Sequence, residues 1–485
     1  MAGWLSQIIP IALLLTLVAV VVARLPRVDR GHSPAFLRRR FINWFPVGLT
    51  YAFLYMGRYN LNTCIGPVFD TKQFAVIYGW GTLVYGVSFV LNGPLTDRLG
   101  GKFTIVLSAV GSLAANVAMG FAVLSKMEGT SVPEHARAAL VPTLSILYAV
   151  NMYFQSFGAV SIVKVNSAWF HLRERGTFGG IFGILISLGL YFAYDWSPIV
   201  LKQMSAPWVF FAPAAILAVF AVLDVVFVKD TPGQAGHADF DLGDASSGDD
   251  GGARLPLAKV AKMMFTNRAI MIIAAIEFCS GFLRNGILQF YKPFAKATGR
   301  AATEAAKKVA ETTGEILPSD FVHDHWGMLN CMAGISGGVL AGLISDRIFG
   351  SRRGPVAAVL YVMMVLGSAA MFATLSTRFI GWDVVIMTLA IIGVHGMLSG
   401  TASMDFGGKR NVGVVVGVID GFVYLGSSLG AFVLGHVLPV KEAAKNDHNW
   451  WTWPTAMLPV AVLGFILSLL VWNARPKSKA PAALG

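Results

Sequence analysis

Long apolar runs without a charged residue are the feature that most limits what this chain can fold into. Residues 103–124, 355–375 and 451–472 contain no Asp, Glu, Lys or Arg. Each run is long enough to cross a hydrocarbon core of about 30 Å as a helix rising about 1.5 Å per residue. Only 13% of the residues are charged, compared with roughly 25% in soluble domains. These runs predict a membrane protein, because a soluble reading would need a core larger than one domain can build.

The same runs distinguish between the two structures that can span a bilayer, helices and closed barrels. They do not alternate apolar and polar residues as barrel strands do, so we predict an all-α polytopic membrane protein. Thirteen spans are predicted. They are residues 4–23, then 41–66, 74–96, 103–124, 140–168, 177–199 and 206–228, and then 268–292, 323–345, 355–376, 379–403, 412–437 and 451–473.

These spans predict five regions. Residues 1–40 contain an extra N-terminal transmembrane helix and an arginine-rich linker, and residues 476–485 form a tail. Two bundles of six helices each occupy residues 41–228 and 266–475. The segment 229–265 between them is rich in Gly, Ala, Ser and Asp at its centre, which predicts a solvated linker.

The positions of the basic residues predict the orientation. Residues 24–40 carry six arginines and one aspartate, which places this linker and the C-terminus in the cytoplasm and the N-terminus outside. No basic residue precedes the first apolar run, which favours a retained helix over a cleaved signal peptide. The net charge of +12 is then an orientation signal in a lipid bilayer, and no nucleic-acid partner is expected. We expect a monomer in a cell membrane, the bacterial inner membrane.

A motif occurs once in each predicted bundle. Gly93-Pro-Leu-Thr-Asp97-Arg98 and Gly342-Leu-Ile-Ser-Asp346-Arg347 both follow the second span of their bundle. Their acidic and basic residues can pair with neighbouring helix ends, so we predict a conformational latch formed by these residues: Asp97, Arg98, Asp346 and Arg347. On these motifs residues 41–475 resemble the major facilitator superfamily. The resemblance implies two pseudo-symmetric six-helix bundles that rock about a central site.

Two arginines lie deep inside predicted spans, where a charge costs at least about 2.5–3.5 kcal/mol on insertion scales. Arg58 lies eighteen residues past Arg40, or about 27 Å along a helix. Arg284 lies sixteen residues past Arg268, or about 24 Å. They occupy matching places in the first helix of each bundle. A guanidinium matches phosphate oxygens bidentately, so the pair predicts a clamp for one compact dianion.

Further motifs narrow the resemblance to the organophosphate/phosphate antiporter family, which includes glycerol-3-phosphate and hexose-phosphate exchangers. The similar segments are 154–158, 169–176, 283–288 and 424–426. The resemblance implies that Arg58 and Arg284 bind substrate during exchange of a small organic phosphate for inorganic phosphate. The organic phosphate would be of the glycerol-3-phosphate, sugar-phosphate or phosphoglycerate class. This chain lacks the lysine that glycerol-3-phosphate exchangers have in the region of Tyr85, and it has Ile186 at their histidine position.

Other polar residues in the spans are candidates with structural alternatives. Tyr59, Asn60, Asn285 and Gln289 are predicted to contact substrate. Glu277 precedes Arg284 by seven residues, so both lie on nearly the same face of one helix. It is predicted to compensate the charge of Arg284, to accept a coupling proton, or to be a static partner of another helix.

Asp420 and His395 are two further ionisable residues inside the predicted spans. Asp420 is predicted either to line the cavity or to form a structural pair, and His395 is predicted to be a hydrogen-bonded core histidine.

No nucleophile elbow, dinucleotide fingerprint or metal-ligand cluster occurs in the spans, so neither an enzyme nor a cofactor or metal is predicted. Two alternative functions remain: a proton-coupled organic-anion transporter, and a transporter-like sensor of a phosphorylated metabolite.

Overall fold

The computed structural model describes residues 32–171, 175–240, 265–301, 320–349 and 352–473, together with positions 12, 16, 20 and 262. Its regular structure in these ranges consists of helices, with two isolated bridges and no longer strand. The first six long helices are α1 (Pro34–Tyr59), α2 (Thr71–Leu99), α3 (Gly101–Leu124), α4 (Glu134–Ser167), α5 (Arg175–Tyr191) and α6 (Trp208–Phe227). The second six are α7 (Arg268–Ala297), α8 (Trp326–Leu343), α9 (Arg353–Thr374), α10 (Ile380–His395), α11 (Ser403–Val437) and α12 (Thr452–Leu470).

Each of the twelve predicted core spans coincides with one of these helices, which confirms the all-α prediction. Eleven of the described helices are long and apolar enough to cross a membrane. The exception is α1, which carries Arg38–Arg40 near its start and a proline and three tyrosines further along. The predicted span 4–23 lies outside the described residues apart from positions 12, 16 and 20.

Local side-chain bonds set where several helices begin. At the start of α2, Asp70 accepts a hydrogen bond from the Gln73 backbone N–H (2.8 Å), and Gln73 accepts one from the Asp70 backbone N–H (3.0 Å). At the start of α7, the Asn267 side chain accepts from the Ala269 N–H (3.0 Å). Such caps satisfy backbone donors that have no partner within the first helical turn.

The second six helices pack on one another in the same way as the first six. The helix α3 packs on α6 as α9 packs on α12; α2 packs on α4 as α8 packs on α10; and α1 packs on α5 as α7 packs on α11. This pattern confirms two pseudo-symmetric six-helix bundles. The bundles meet each other mainly where α2 contacts α11 and where α5 contacts α8.

Glycines bring α2 and α11 close together. A Cβ added to Gly86 would lie 2.8 Å from the Gly421 carbonyl oxygen, and one added to Gly417 would lie 2.5 Å from the Phe89 carbonyl oxygen. Small residues at helix crossings allow backbones in membranes to approach in this way. The close contact between the bundles at this crossing therefore depends on glycine, which has no side chain, at these positions.

Hydrogen bonds also join the bundles at one end of the molecule. The Asp195 carboxylate, which follows α5, accepts from the backbone N–H groups of Gly327 (2.8 Å) and Met328 (2.9 Å) at the start of α8. The Lys292 ammonium on α7 donates to the Tyr194 carbonyl (3.2 Å). A carboxylate at a helix N-terminus is stabilised by the unpaired N–H groups and the helix dipole. We call this end of the molecule the Asp195 end.

The predicted latch residues lie at the opposite end. Asp97 pairs with Lys164 of α4 at 2.8 Å, and both residues belong to the first bundle. Arg98 and Arg347 are exposed, and the side chain of Asp346 lies outside the described residues. The described part of the latch is thus a contact within one bundle, at the ends of α2 and α4.

The beginning of the predicted linker packs against the first bundle. The Lys229 backbone exchanges two hydrogen bonds with the Asn43 side chain (2.8 and 3.1 Å) and accepts one from the Trp169 indole (3.1 Å). The Phe240 ring lies 5.6 Å from the Phe36 ring. Residues 229–240 are therefore attached to α1 and to the end of α4, and residues 241–261 of the linker lie outside the described residues.

Candidate anion-binding site

Arg58 is completely buried near the end of α1. Its Nε donates to Gln155 Oε1 (2.9 Å), its Nη1 to the Tyr424 hydroxyl (2.8 Å) and its Nη2 to the Tyr85 hydroxyl (2.5 Å). The guanidinium carbon also lies 4.4 Å from the ring centroids of Tyr55 and Tyr85. A guanidinium has five N–H donors, so these three bonds leave two N–H groups for a further acceptor.

A buried polar network fixes the direction of the Gln155 amide. Its Nε2 donates to Ser112 Oγ and to Asn151 Oδ1, both at 3.1 Å. Ser112 in turn donates to Asn151 Oδ1 (2.6 Å), and Asn151 Nδ2 donates to the Gly57 carbonyl (3.0 Å). Because the amide nitrogen is engaged by this network, the amide oxygen faces Arg58.

Arg284 lies midway along α7 and is only 4% exposed. Its Nε and Nη1 have no hydrogen-bond partner among the described residues. The guanidinium lies beside the Tyr55 phenol, which also packs on Arg58. Tyr55 therefore lies next to both arginines. Leaving a buried donor unpaired costs about 1–3 kcal/mol, and more for a charged group, so an anion that supplied acceptors to Arg284 would be bound favourably.

Of the four predicted substrate contacts, Tyr59 lies close to Arg58, and two others belong to α7, the helix that carries Arg284. The Tyr59 ring is 5.9 Å from the Arg58 guanidinium. Both polar atoms of the buried Asn285 amide lack a partner in the described part of the chain. Gln289, one turn further along α7, accepts from Asn62 Nδ2 (3.1 Å), and its own Nε2 is unpartnered in the same ranges.

The structure does not bring the fourth, Asn60, into this group. Its Nδ2 donates to Asn116 Oδ1 of α3 (3.2 Å) and to the Val209 carbonyl of α6 (2.9 Å). The Asn60 amide nitrogen thus joins helices within the first bundle, which favours a structural role for this residue.

The buried acids form a second group beside the arginines. Glu277 has no exposed surface; its Oε2 lies 3.3 Å from His395 Nδ1 of α10, and its Oε1 has no partner among the described residues. Asp420 of α11 accepts a short hydrogen bond from Ser399 and interacts electrostatically with His395, Glu277 and Arg284. We call these three residues the Glu277–His395–Asp420 cluster. The hydrogen-bonded histidine predicted from the sequence therefore has Glu277 as its partner.

Sequence reasoning did not assign the residues that hold Arg58. The sequence motifs include Tyr85 only as the region of an absent lysine, and Gln155 and Tyr424 only as members of similar segments. All three are polar residues inside apolar spans, and this is the sequence feature that marks them as candidate partners of a buried charge. Among the described residues, no group of three or more His, Cys, Asp or Glu is arranged to hold a metal ion.

Eleven described helices that are long and apolar enough to span a membrane pack with α1 into two repeated bundles, with buried arginines where the bundles meet. This arrangement defines a polytopic membrane transporter. The sequence model of the Major Facilitator Superfamily matches residues 47–431. The chain therefore belongs to the Major Facilitator Superfamily, a family of membrane transporters, and is not an enzyme.

Two of the similar proteins carry names that refer to phosphorylated compounds, and a third is named a sensor. The chain is 21% identical to the glycerol-3-phosphate transporter of Bacillus subtilis, over 92% of this chain and 95% of that protein. It is 20% identical to a probable hexose phosphate transport protein of Chlamydia trachomatis, over 92% and 95%. It is 21% identical to the membrane sensor protein UhpC of Salmonella typhimurium, over 88% and 89%. The resemblance predicted from the sequence motifs is thereby confirmed.

The fold also matches solved transporter structures. A bacterial homolog of the human lysosomal transporter Spinster covers 93% of this chain with a TM-score of 0.62, and all of that chain is covered, at 13% sequence identity. This likeness concerns the arrangement of the helices alone.

Proposed function

We propose that this transporter exchanges a small organic phosphate for inorganic phosphate, and that each anion in turn binds between Arg58 and Arg284. The observation that supports this most directly is the buried Arg284 guanidinium, whose Nε and Nη1 lack acceptors in the described part of the chain. Arg58, on the other side of Tyr55, makes three hydrogen bonds that leave two of its five N–H groups for an anion. Relatives named for glycerol-3-phosphate and hexose phosphate support a phosphate ester as the organic substrate.

Phosphate suits this pair of arginines chemically. A dianion presents several oxygens to planar guanidinium forks, and such charge-assisted bonds are about twice as strong as neutral ones. The arginines belong to different bundles, so one bound phosphate would link both. Alternating access then requires the bundles to open at one end while they stay joined at the other. The hydrogen bonds at the Asp195 end support a state in which that end is closed.

The proposed orientation follows from the basic residues. The Asp195 end would face outward and the Asp97 end the cytoplasm of a bacterium, with the protein in the inner membrane. The bundles would be residues 41–228 and 266–475, as the spans predict. The N-terminus would be external, the C-terminus cytoplasmic and the protein a monomer.

Phosphate exchange into proteoliposomes tests the proposal. Radiolabelled phosphate uptake would be measured in vesicles preloaded with phosphate, for the parent, Arg58→Lys and Arg284→Lys. Lysine keeps the charge but loses the planar fork. Losing one charged hydrogen bond costs about 1.5–3 kcal/mol, so we expect each variant to lose at least about tenfold in phosphate affinity. Arg378→Lys, at an exposed position, is the matched control.

The results of this experiment distinguish a shared arginine clamp from other ways of binding the anion. Exchange in the parent and the control, with loss in both site variants, supports the proposed clamp, and competition by glycerol and sugar phosphates then identifies the organic moiety. Absence of exchange in a folded parent contradicts the proposal. Loss in only one arginine variant contradicts a shared clamp.

A sensor of a phosphorylated metabolite is the second candidate, because one relative is named a membrane sensor protein. Such a sensor needs binding but not turnover. Phosphate binding in detergent without exchange in vesicles would favour it.

A further inference from the structure

We propose that the Glu277–His395–Asp420 cluster is a proton-binding site, and that the transporter takes up a proton there when it binds phosphate. This inference deepens the proposed function and rests on it. It assigns a role to the buried Glu277 and Asp420 and to the partly buried His395 that the arginine pair alone does not explain.

The geometry of the cluster suits a proton rather than a fixed ion pair. Glu277 Oε2 and His395 Nδ1 are 3.3 Å apart, which is longer than a strong charged hydrogen bond of about 2.7–2.9 Å. Glu277 Oε1 is buried without a donor among the described residues. Asp420 has Ser399 as a hydrogen-bond donor. The cluster thus contains a carboxylate oxygen and an imidazole that can each hold a proton.

The cluster adjoins the anion site from several sides. Groups that interact with it electrostatically come from four helices: Tyr55 of α1, Tyr85 of α2, Arg284 of α7 and Tyr361 of α9. Tyr55 and Tyr85 also contact Arg58. Charge on the cluster therefore acts directly on Arg284, and Tyr55 and Tyr85 lie between the cluster and Arg58.

The sum of the charges connects the proton with the anion. With both carboxylates ionised and His395 neutral, the two acids cancel the two arginines, and the site has no net charge. A phosphate dianion would then leave two uncompensated negative charges in a buried site, where an unpaired charge is strongly unfavourable. One proton on the cluster removes one of these charges. The proton would enter from water with the anion on one side and leave with it on the other.

The test is the pH dependence of phosphate binding to the purified full-length protein between about pH 5.5 and 8.5. Phosphate itself titrates in this range, with a second pKa of about 6 for phosphate esters, but its contribution is the same for every variant. For one linked proton, affinity changes up to about tenfold per pH unit. We therefore expect Glu277→Gln, His395→Gln and Asp420→Asn to have weaker pH dependence than the parent, by up to tenfold per pH unit.

Asp383→Asn is the matched control, because Asp383 lies on the same helix as His395 but bonds to Thr374 instead. It should keep the pH dependence of the parent. If the parent exchanges phosphate and all three cluster variants keep its pH dependence, the proton site is wrong and the proposed exchange stands. If the parent does not exchange phosphate, the proposed function itself fails.

A second measurement uses the parent alone and covers variants that do not fold. Sulfate is a dianion without a proton that titrates near neutral pH, so any pH effect on its binding comes from the protein. We expect radiolabelled sulfate to bind the purified protein more tightly as the pH falls. An affinity for sulfate that does not rise overturns the inference.

Discussion

Replacing Tyr424 by phenylalanine should change the balance between the two conformations of the transporter. The Tyr424 hydroxyl on α11 accepts a hydrogen bond from Arg58 on α1 (2.8 Å), so this bond joins the two bundles inside the site. The Tyr85 hydroxyl accepts from the same guanidinium (2.5 Å), but α2 and α1 belong to one bundle. Tyr424→Phe and Tyr85→Phe each remove one hydroxyl from one arginine, and only Tyr424→Phe removes a bond between bundles.

The size of the effect follows from the charge on the donor. A hydrogen bond to a charged group contributes about 1.5–3 kcal/mol, and about 1.4 kcal/mol corresponds to a tenfold change in an equilibrium constant. If the Arg58–Tyr424 bond exists only while the Asp195 end is closed, its loss shifts the equilibrium toward the open state by about 10- to 150-fold. Loss of the Tyr85 bond destabilises both states equally, so it leaves the equilibrium between them unchanged.

The assay uses a cysteine at Met328, which is 2% exposed at the Asp195 end. Its backbone N–H, which bonds to Asp195, survives the substitution. In a chain whose three native cysteines have been replaced, the rate of labelling by a membrane-impermeant maleimide reports opening of this end. We expect labelling at least about tenfold faster with Tyr424→Phe, and little change with Tyr85→Phe. Equal rates in the two variants would refute the reasoning.

Two further predictions concern contacts between the bundles. Asp195→Asn removes the charge that faces the start of α8, so labelling of the Met328 reporter should become about tenfold faster; an unchanged rate would show that this contact does not hold the end closed. Gly421→Ala places a methyl group 2.8 Å from the Gly86 carbonyl and should cost about 1–3 kcal/mol as overpacking, measured as a lower midpoint of thermal unfolding in detergent. Gly183→Ala, where an added Cβ meets no atom within 4 Å, is its control and should change the midpoint little.

The helices were predictable because their signal is local. A span is encoded by about 20 consecutive apolar residues, and the sequence of each span contains that information without reference to the rest of the chain. The depth of Arg58 and Arg284 followed in the same way, by counting residues from the basic ends of their helices. Orientation signals and repeated loop motifs then grouped the helices into two bundles.

The partners of the buried polar residues were not predictable, because they depend on how helices rotate and tilt against each other. Arg58 bonds to residues 97 and 366 positions away. Spacing along α7 suggested Arg284 as a neighbour of Glu277, yet the direct partner of Glu277 is His395, 118 positions away. Asn60 shows the same limit, because its amide, just past the end of α1, is directed by contacts with α3 and α6 that its own sequence neighbours do not reveal.

The two arginines match in depth but not in bonding, and this difference gives the substrate a mechanical role. Arg284 has two nitrogens without a partner among the described residues, so an anion can bind there without breaking a bond. We expect an anion that bridges the two arginines also to take the Nη1 hydrogen that Arg58 now donates to Tyr424. Such an anion replaces a direct bond between the bundles with a bridge from Arg58 to Arg284. Without an anion, the bundles would have to break the Tyr424 bond with no replacement when they change conformation. We therefore expect the empty transporter to change conformation more slowly than the loaded one, which is the property that the proposed exchange requires.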